Sequence, residues 1–194
     1  MGCGYKYLNG GPGAPAFIYA AKKHHDLIRQ PLTGWMGHSA PFRFEQEYRP
    51  GQSMLRFLSG TPNILSMVAL DAALDVFKNF SLSDIRNKSI GLSNVFIESI
   101  VSELPTQLQL ESPSQSNQRG SQLAYSHPNA FEICQALADF KVVADYRAPN
   151  IIRFGFTPLY LSYQDVWTAA QRLIEVVKTR RYTNANYAVR SKVT

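Results

Sequence analysis

The sequence predicts a folded chain of the α/β class whose C-terminal part is a small α+β domain. Hydrophobic residues make up 45% and aromatic residues 12% of its 194 positions, which is enough for a sizeable core. Residues 14–21 form an apolar run without polar alternation, typical of a strand that is buried on both faces. From residue 105 onward, strand-like and helix-like segments follow one another. These observations indicate a globular chain in which helices cover a sheet.

The first 80 residues combine short strands, an irregular segment and one helix. A short strand precedes Lys6, residues 22–25 form a polar turn or short helix, and residues 31–51 hold too many glycines and prolines for a regular element. Thr61 is predicted as a helix N-cap and Pro62 as the first helical residue. The apolar residues that follow have the spacing of an amphipathic helix: Ile64, Leu65, Val68, Ala69, Ala72, Ala73, Val76 and Phe77.

The remaining residues are predicted to form a long helix, a small domain and a tail. The long helix covers 83–104, joins two domains and ends at Pro105. The small domain has a strand at 108–110, a loop at 112–118, a strand near 123–125, a helix at 128–140, strands at 141–146 and 151–156 around a hairpin-like turn, and a helix at 164–179. The predicted domains are therefore 1–80, the joining helix 81–104, the α+β domain 105–180 and the basic tail 181–194.

The positive charge of the chain is concentrated at its C-terminal end. The net charge is +6 and the pI is near 9.4. Lys178, Arg180, Arg181, Arg190 and Lys192 lie there without an acidic residue among them. Such a block is typical of a solvated, partly disordered tail, so we do not expect nucleic-acid binding.

Several other classes of protein are not supported. No apolar run approaches the roughly 20 residues of a membrane span, and the N-terminus lacks a signal-peptide pattern. The two distant cysteines, Cys3 and Cys134, predict reduced thiols in a cytoplasmic protein. His24 and His25 have no neighbouring cluster of cysteines or carboxylates, so no metal site is predicted.

Lys6 lies between Tyr5 and Tyr7, just before a glycine-rich turn. A lysine amine whose pKa is lowered by burial or neighbouring charge can form a Schiff base with an aldehyde or ketone. The glycines would allow the backbone to approach a planar ligand. The same pattern also occurs as an exposed lysine at a strand end, so both interpretations stay open at this point.

Five segments in order resemble kynureninases, which are pyridoxal-phosphate (PLP) enzymes of the aspartate-aminotransferase fold. They are GCGYKYLNGGPGAPAFIY at 2–19, GWMGH at 34–38, FLSGTP at 57–62, RGSQL at 119–123 and RAPNIIR at 147–153, with PLY after them at 158–160. Cysteine desulfurases usually have His-Lys at the lysine, and Tyr5 favours kynureninases over them. The resemblance covers only the C-terminal part of such an enzyme. It implies the end of a large PLP-binding domain followed by the small α+β domain.

The resemblance implies roles for seven residues. Lys6 would carry PLP covalently and move protons, while Tyr5, Trp35 and Thr61 would bind its phosphate, and Tyr5 could also act as an acid at the substrate ketone. Arg153 would hold the substrate carboxylate with its planar guanidinium. Met36 and His38 could line the substrate pocket.

Each of these roles has a structural alternative. Trp35 could be a core residue, and Thr61 an ordinary helix cap. Arg153 could form a structural pair with Asp145, with Asp165 or with the edge of a neighbouring strand. Arg147 and Arg119 are predicted to be structural.

The implied reaction is hydrolysis of L-kynurenine or 3-hydroxykynurenine to alanine and an anthranilate, in tryptophan catabolism and NAD biosynthesis. The resemblance implies a homodimer or association with a missing N-terminal half, and in the family the ring-stacking and pyridine-binding residues lie upstream of the segments matched here. We therefore expect the isolated chain to have no or negligible activity. It could instead be half of a split enzyme, a pseudoenzyme, an interaction module or another class V-type PLP enzyme.

Overall fold

The computed structural model describes residues 1–189, which divide into two compact units. The first unit is Met1–Asn79 and the second begins at Phe80. The long helix predicted to join two domains belongs entirely to the second unit.

The first unit consists mostly of turns and short 3₁₀ helices. Its strands β1 (Gly2–Cys3) and β2 (Ala16–Phe17) pair antiparallel. The 3₁₀ helices are Lys22–His24, Trp35–Gly37, Pro41–Arg43 and Ser53–Phe57, and one α-helix, α1, spans Ile64–Asp75. The predicted strand before Lys6, the short helix at 22–25 and the irregular segment at 31–51 are confirmed.

The prediction of a strand buried on both faces at 14–21 is wrong. Only Ala16 and Phe17 pair, both are exposed, and their single neighbour runs antiparallel. A strand is buried on both faces only where other elements cover it, and residues 1–79 bury no hydrophobic side chain. The run is apolar, but no element of residues 1–79 buries it.

Helix α1 corrects two further predictions. Its N-cap is Asn63, whose side chain accepts a hydrogen bond from the Ser66 N–H at 3.3 Å, so Thr61 is not the cap and Pro62 lies before it. The helix also has no buried face within the first unit, because Leu65 is 83% exposed and Val68 61%. A helix that is apolar on several sides is typical of a fully covered position.

The second unit holds the hydrophobic core. Its elements are α2 (Leu82–Glu103), β3 (Gln109–Leu110), β4 (Gln122–Ser126), α3 (Ala130–Asp139), β5 (Asp145–Arg147), β6 (Ile151–Gly155) and α4 (Tyr163–Lys178). The sheet order is β3-β4-β6-β5, with all pairs antiparallel. One face of this sheet packs on the core through Leu123, Tyr125, Ile152 and Phe154, which are buried with residues of all three helices. This is the predicted helix-covered α+β arrangement.

The predicted strand at 141–146 is shorter than expected. Lys141 has a φ of 61°, and the Val142 N–H donates to the Leu137 carbonyl at 3.0 Å, which closes the end of α3. Pairing therefore begins only at Asp145, opposite Arg153. Valine favours strands, but Val143 is 94% exposed, so strand propensity did not determine the structure at this position.

The first residues of the predicted tail are ordered. Two 3₁₀ helices, Arg181–Thr183 and Ala185–Ala188, pack on α3. The Tyr187 hydroxyl donates to Asp139 at 2.6 Å, and the Tyr182 ring contacts His127 edge-on with centroids 5.3 Å apart. Residues 181–189 of the tail, which was predicted to be solvated and partly disordered, are therefore ordered, while residues 190–194 lie outside the described part. None of the described helices combines the length and apolarity needed to cross a bilayer.

Candidate functional site

The Lys6 segment is a closed loop at the end of β1. The Gly4 N–H donates to the Pro15 carbonyl and the Gly10 N–H to the Gly4 carbonyl, both at 2.9 Å. The Lys6 carbonyl accepts from the Asn9 N–H, also at 2.9 Å. The loop therefore holds Lys6 on its turn, exposed, with the Nζ atom 5.2 Å from the centroid of the Tyr5 ring.

Two glycines fix this loop against α1. A Cβ atom at Gly4 would lie 2.9 Å from Leu70 Cδ2 and from the Pro15 carbonyl oxygen. A Cβ at Gly10 would lie 2.8 Å from the Gly4 carbonyl oxygen and 3.0 Å from Leu70 Cδ1. The chain can approach the helix this closely only without side chains at these positions.

The 3₁₀ helix Trp35–Gly37 packs on the segment that leads to Thr61. A Cβ at Gly34 would collide with the Ser59 backbone, and one at Gly37 would lie 2.7 Å from the Leu58 carbonyl oxygen. The structure thus brings two separate motifs of the sequence together. Trp35 directly follows Gly34, and Thr61 comes two residues after Ser59.

His38 is held in one tautomer by its backbone partners. Its Nδ1 accepts a hydrogen bond from the Ala40 N–H at 2.9 Å, so the proton is on Nε2. Nε2 in turn lies 3.2 Å from the Glu47 carbonyl and 3.8 Å from the Glu45 carboxylate. The pKa of Glu45 is lowered, first by the hydrogen bond from Arg49, so a carboxylate faces the His38 ring at neutral pH.

Trp35 and His38 line one cavity of about 440 Å³. Its wall also includes Phe44, Glu45 and Tyr48, and the Tyr48 hydroxyl donates to the Gly37 carbonyl at 3.0 Å. Trp35 is 48% exposed and its ring lies edge-on to Phe42, so it is not a core tryptophan within this unit. Met36 lies on the same 3₁₀ helix but is not among the residues that line the cavity.

Arg153 belongs to the second unit, on the sheet face opposite the core. Its neighbours across the strands are Ala124 and Asp145. Its Nε donates to Asp145 Oδ2 at 2.8 Å, and Nη2 contacts the same oxygen. The structural pair with Asp145 considered above is therefore present, and it leaves the Arg153 side chain 29% exposed.

Arg119 and Arg147, both predicted to be structural, differ in their contacts. Arg119 donates to the Pro113 and Ser114 carbonyls and to Asn94, so its structural role is confirmed. Arg147 reaches Asp145 at 3.3 Å and is 60% exposed.

Sequence reasoning did not identify Phe44, Glu45 or Tyr48 as site residues. They lie in the breaker-rich segment, where no periodicity marks an inward side, and only the tertiary fold places them beside His38. Within residues 1–189 there is no group of three or more histidines, cysteines or acidic residues that could hold a metal ion.

Two donor groups of the first unit have the chemistry that an aldehyde cofactor with a phosphate needs, although the described contacts do not join Lys6 to the cavity of Trp35. Apart from the Tyr5 ring, the Lys6 amine has no partner among residues 1–189. The Trp35 indole N–H likewise meets no acceptor there. An accessible amine can bond covalently to an aldehyde, and a free N–H can donate to a phosphate.

Comparison with known proteins finds similarity to kynureninases. Residues 85–173 match the kynureninase C-terminal domain. Curated kynureninases of Burkholderia mallei and Burkholderia pseudomallei are 44% identical to this chain, and that of Pseudomonas fluorescens is 42% identical. Each alignment covers 100% of this chain and 47% of the relative. The chain is therefore similar to a C-terminal portion of kynureninases and spans about half the length of these relatives.

Solved structures confirm the fold class. A cysteine desulfurase from Thermococcus onnurineus superposes with a TM-score of 0.69 at 19% identity, over 83% of this chain and 42% of the other. The cystine C-S lyase C-DES superposes with a TM-score of 0.72 at 15% identity, over 89% and 45% of the two chains. This similarity shows the α/β, aspartate-aminotransferase-like fold of PLP-dependent enzymes.

Proposed function

We propose that this chain, which corresponds to the C-terminal portion of a kynureninase, supplies the cofactor lysine and the carboxylate-binding arginine of a kynureninase-type hydrolase. The observation that carries the proposal is the Lys6 loop. Its amine is exposed and has no partner except the Tyr5 ring, at the position where the similar enzymes are expected to bind PLP. The cofactor would be pyridoxal 5′-phosphate, covalently bound to Lys6.

The cofactor would supply an electron sink, and the residues of this chain would supply binding, orientation and proton transfer. Lys6 would move a proton at the substrate Cα. Trp35 and Thr61 would hold the phosphate, and Tyr5 would bind it and could donate a proton to the substrate ketone. Support for the Trp35 and Thr61 roles comes from the packing of their two segments on each other through Gly34 and Ser59.

Arg153, His38 and Met36 would contact the substrate. Arg153 would pair with its α-carboxylate, using the planar fork that suits carboxylates. His38 would line the pocket from the 440 Å³ cavity, and Met36 from the adjacent 3₁₀ helix. The proposed reaction is hydrolysis of L-kynurenine or 3-hydroxykynurenine to L-alanine and an anthranilate, within tryptophan catabolism and NAD biosynthesis in the cytoplasm.

We further propose that activity requires polypeptide equivalent to the other half of the relatives' length. Residues 1–79 bury no hydrophobic side chain, while Ile64, Leu65 and Val68 of α1 are mostly exposed. An exposed apolar surface of this kind marks an interaction site. The isolated chain is therefore predicted to have no or negligible activity, and dimer formation stays a prediction.

The same surface favours a second candidate function, a non-catalytic interaction module. It would need the apolar residues of α1 but not the Lys6 amine. The two functions can therefore be separated by the chemistry of Lys6 alone.

The test is covalent trapping of PLP on Lys6. The chain is mixed with PLP, with and without the complementary N-terminal polypeptide, reduced with borohydride and digested for mass spectrometry. We expect a pyridoxyl group on Lys6 and its loss in Lys6→Arg. Lys23→Arg, which removes another exposed lysine of the same unit, should leave it unchanged. Absence of the adduct in both mixtures would exclude the enzyme function and leave the interaction module.

A further inference from the structure

Asp145 and Arg153 face each other across two neighbouring strands. They are directly opposite in the β5–β6 register, on the sheet face away from the core. On its other side Arg153 is opposite Ala124, whose methyl group offers no polar partner. Asp145 is therefore the group that determines where the guanidinium lies in the row across these three strands.

Asp145 uses only one edge of that guanidinium. A guanidinium can offer paired N–H groups along its Nε–Nη2 edge or along its Nη1–Nη2 edge. Asp145 Oδ2 accepts from Nε at 2.8 Å and contacts Nη2, so it takes the first edge. Nη1 makes no hydrogen bond to any residue in 1–189. The second edge is open to a ligand.

The local charge also remains suited to an anion. Arg147 Nη2 lies 3.3 Å from the same Asp145 oxygen, so one carboxylate faces two guanidinium groups. The three side chains together carry one net positive charge. A negatively charged ligand is thus attracted even though Arg153 already has a carboxylate partner.

We propose that Asp145 is a positioning residue that holds Arg153 by its Nε edge and presents the Nη1–Nη2 edge to a substrate carboxylate. This inference rests on the proposed carboxylate-binding role of Arg153. The pairing of Arg153 with Asp145 and the binding of a carboxylate by Arg153 are then compatible roles, because they use different edges of the guanidinium. Asp145 is expected to increase the affinity of Arg153 for the substrate carboxylate without contacting the substrate.

The experiment measures how the full chain, labelled with ¹⁵N-arginine and assembled with the complementary N-terminal polypeptide without PLP so that no turnover occurs, binds a carboxylate at Arg153. The probe is L-kynurenine, and its counterpart is kynurenamine, the same amine and ketone without the carboxylate. The Arg153 guanidinium signals are assigned by their loss in Arg153→Lys. In the wild type, we expect separate Nη1 and Nη2 signals, because the side-on contact hinders rotation, and we expect them to shift with L-kynurenine but not with kynurenamine.

Asp145→Asn should merge the two Nη signals and weaken L-kynurenine binding about tenfold, the size expected for losing one charge-assisted contact at a partly exposed site. Asp145→Glu should restore part of both effects. Glu111→Gln is the matched control, because it neutralises another carboxylate beside the same sheet, one that accepts from Ser126 at 2.6 Å. It should change neither.

The possible failures are distinguishable. If L-kynurenine does not shift the wild-type Arg153 signals, Arg153 is not a carboxylate receptor, and the proposed function and this inference both fail. If wild type binds and Asp145→Asn binds equally well, Asp145 is only structural. Tighter binding by Asp145→Asn would mean that Asp145 competes with the ligand, and would also overturn the inference.

Discussion

The Cα atom of Gly34 lies against the carbonyl group of Ser59 so closely that a methyl group between them would collide with the Ser59 backbone. Gly34 itself has an extended backbone, with φ at −158°, so the need for glycine comes from space and not from conformation. This contact joins the segment of Trp35 to the segment of Thr61. It is the point on which the proposed phosphate-binding pair depends.

The first prediction follows from this contact. Gly34→Ala should separate the two segments and lower stability by at least about 1 kcal/mol, because a rigid backbone group must move. In a Trp167→Phe background, the fluorescence of Trp35 should change. Gly60→Ala is the control, since a Cβ at Gly60 meets nothing within 4 Å. Equal spectra for both variants would contradict the packing described.

The second prediction separates capping from ligand binding. Asn63→Ala should cost about 1 kcal/mol of helix stability, because it removes the side chain that accepts from the Ser66 N–H. Thr61→Ala should leave the circular dichroism of the helix unchanged and instead reduce PLP retention in the assembled protein. The reverse result, helix loss with Thr61→Ala, would restore Thr61 as the cap.

The third prediction concerns acid stability of the second unit. Burial lowers the pKa of His127 below its usual value near 6.5, and its Nδ1 accepts from the Asn129 N–H at 2.9 Å. The unfolded chain thus takes up a proton before the folded chain does, so the free energy of unfolding should fall as the pH drops below about 6.5.

Urea unfolding between pH 7 and pH 5 measures this effect. Trp167 fluorescence in a Trp35→Phe background reports on the second unit. His127→Asn cannot titrate in this range and should show a smaller decline with falling pH. An identical decline in both proteins would assign the effect to other groups.

The fourth prediction tests the ordered part of the tail. Tyr187→Phe should lower the free energy of unfolding by about 0.5–1.5 kcal/mol, because it removes the hydrogen bond to Asp139. Tyr160→Phe is the control, since the Tyr160 hydroxyl makes no hydrogen bond among residues 1–189 and its side chain is 70% exposed. Urea unfolding followed by circular dichroism compares the two. Equal stabilities would show that the tail contact contributes nothing.

Local sequence determined most elements of the second unit. Ser81 and Ser162 are the N-caps of α2 and α4, and each forms a capping box with an aspartate three residues later, so neighbouring residues determine where these helices begin. The alternation in β6 places Ile152 and Phe154 on the core and Arg153 on the opposite face. These features depend on contacts within a few residues, which a sequence pattern can carry.

Only the tertiary structure decided the rest. The contact of Gly34 with Ser59, the cavity wall at Tyr48 and the edge of Arg153 that Asp145 occupies all join residues that no short pattern relates. The predictions for the apolar run 14–21 and for helix α1 differ from the structure for the same reason. Periodicity reports that a segment is apolar, whereas burial depends on which other elements cover it, and residues 1–79 do not cover their own apolar surface.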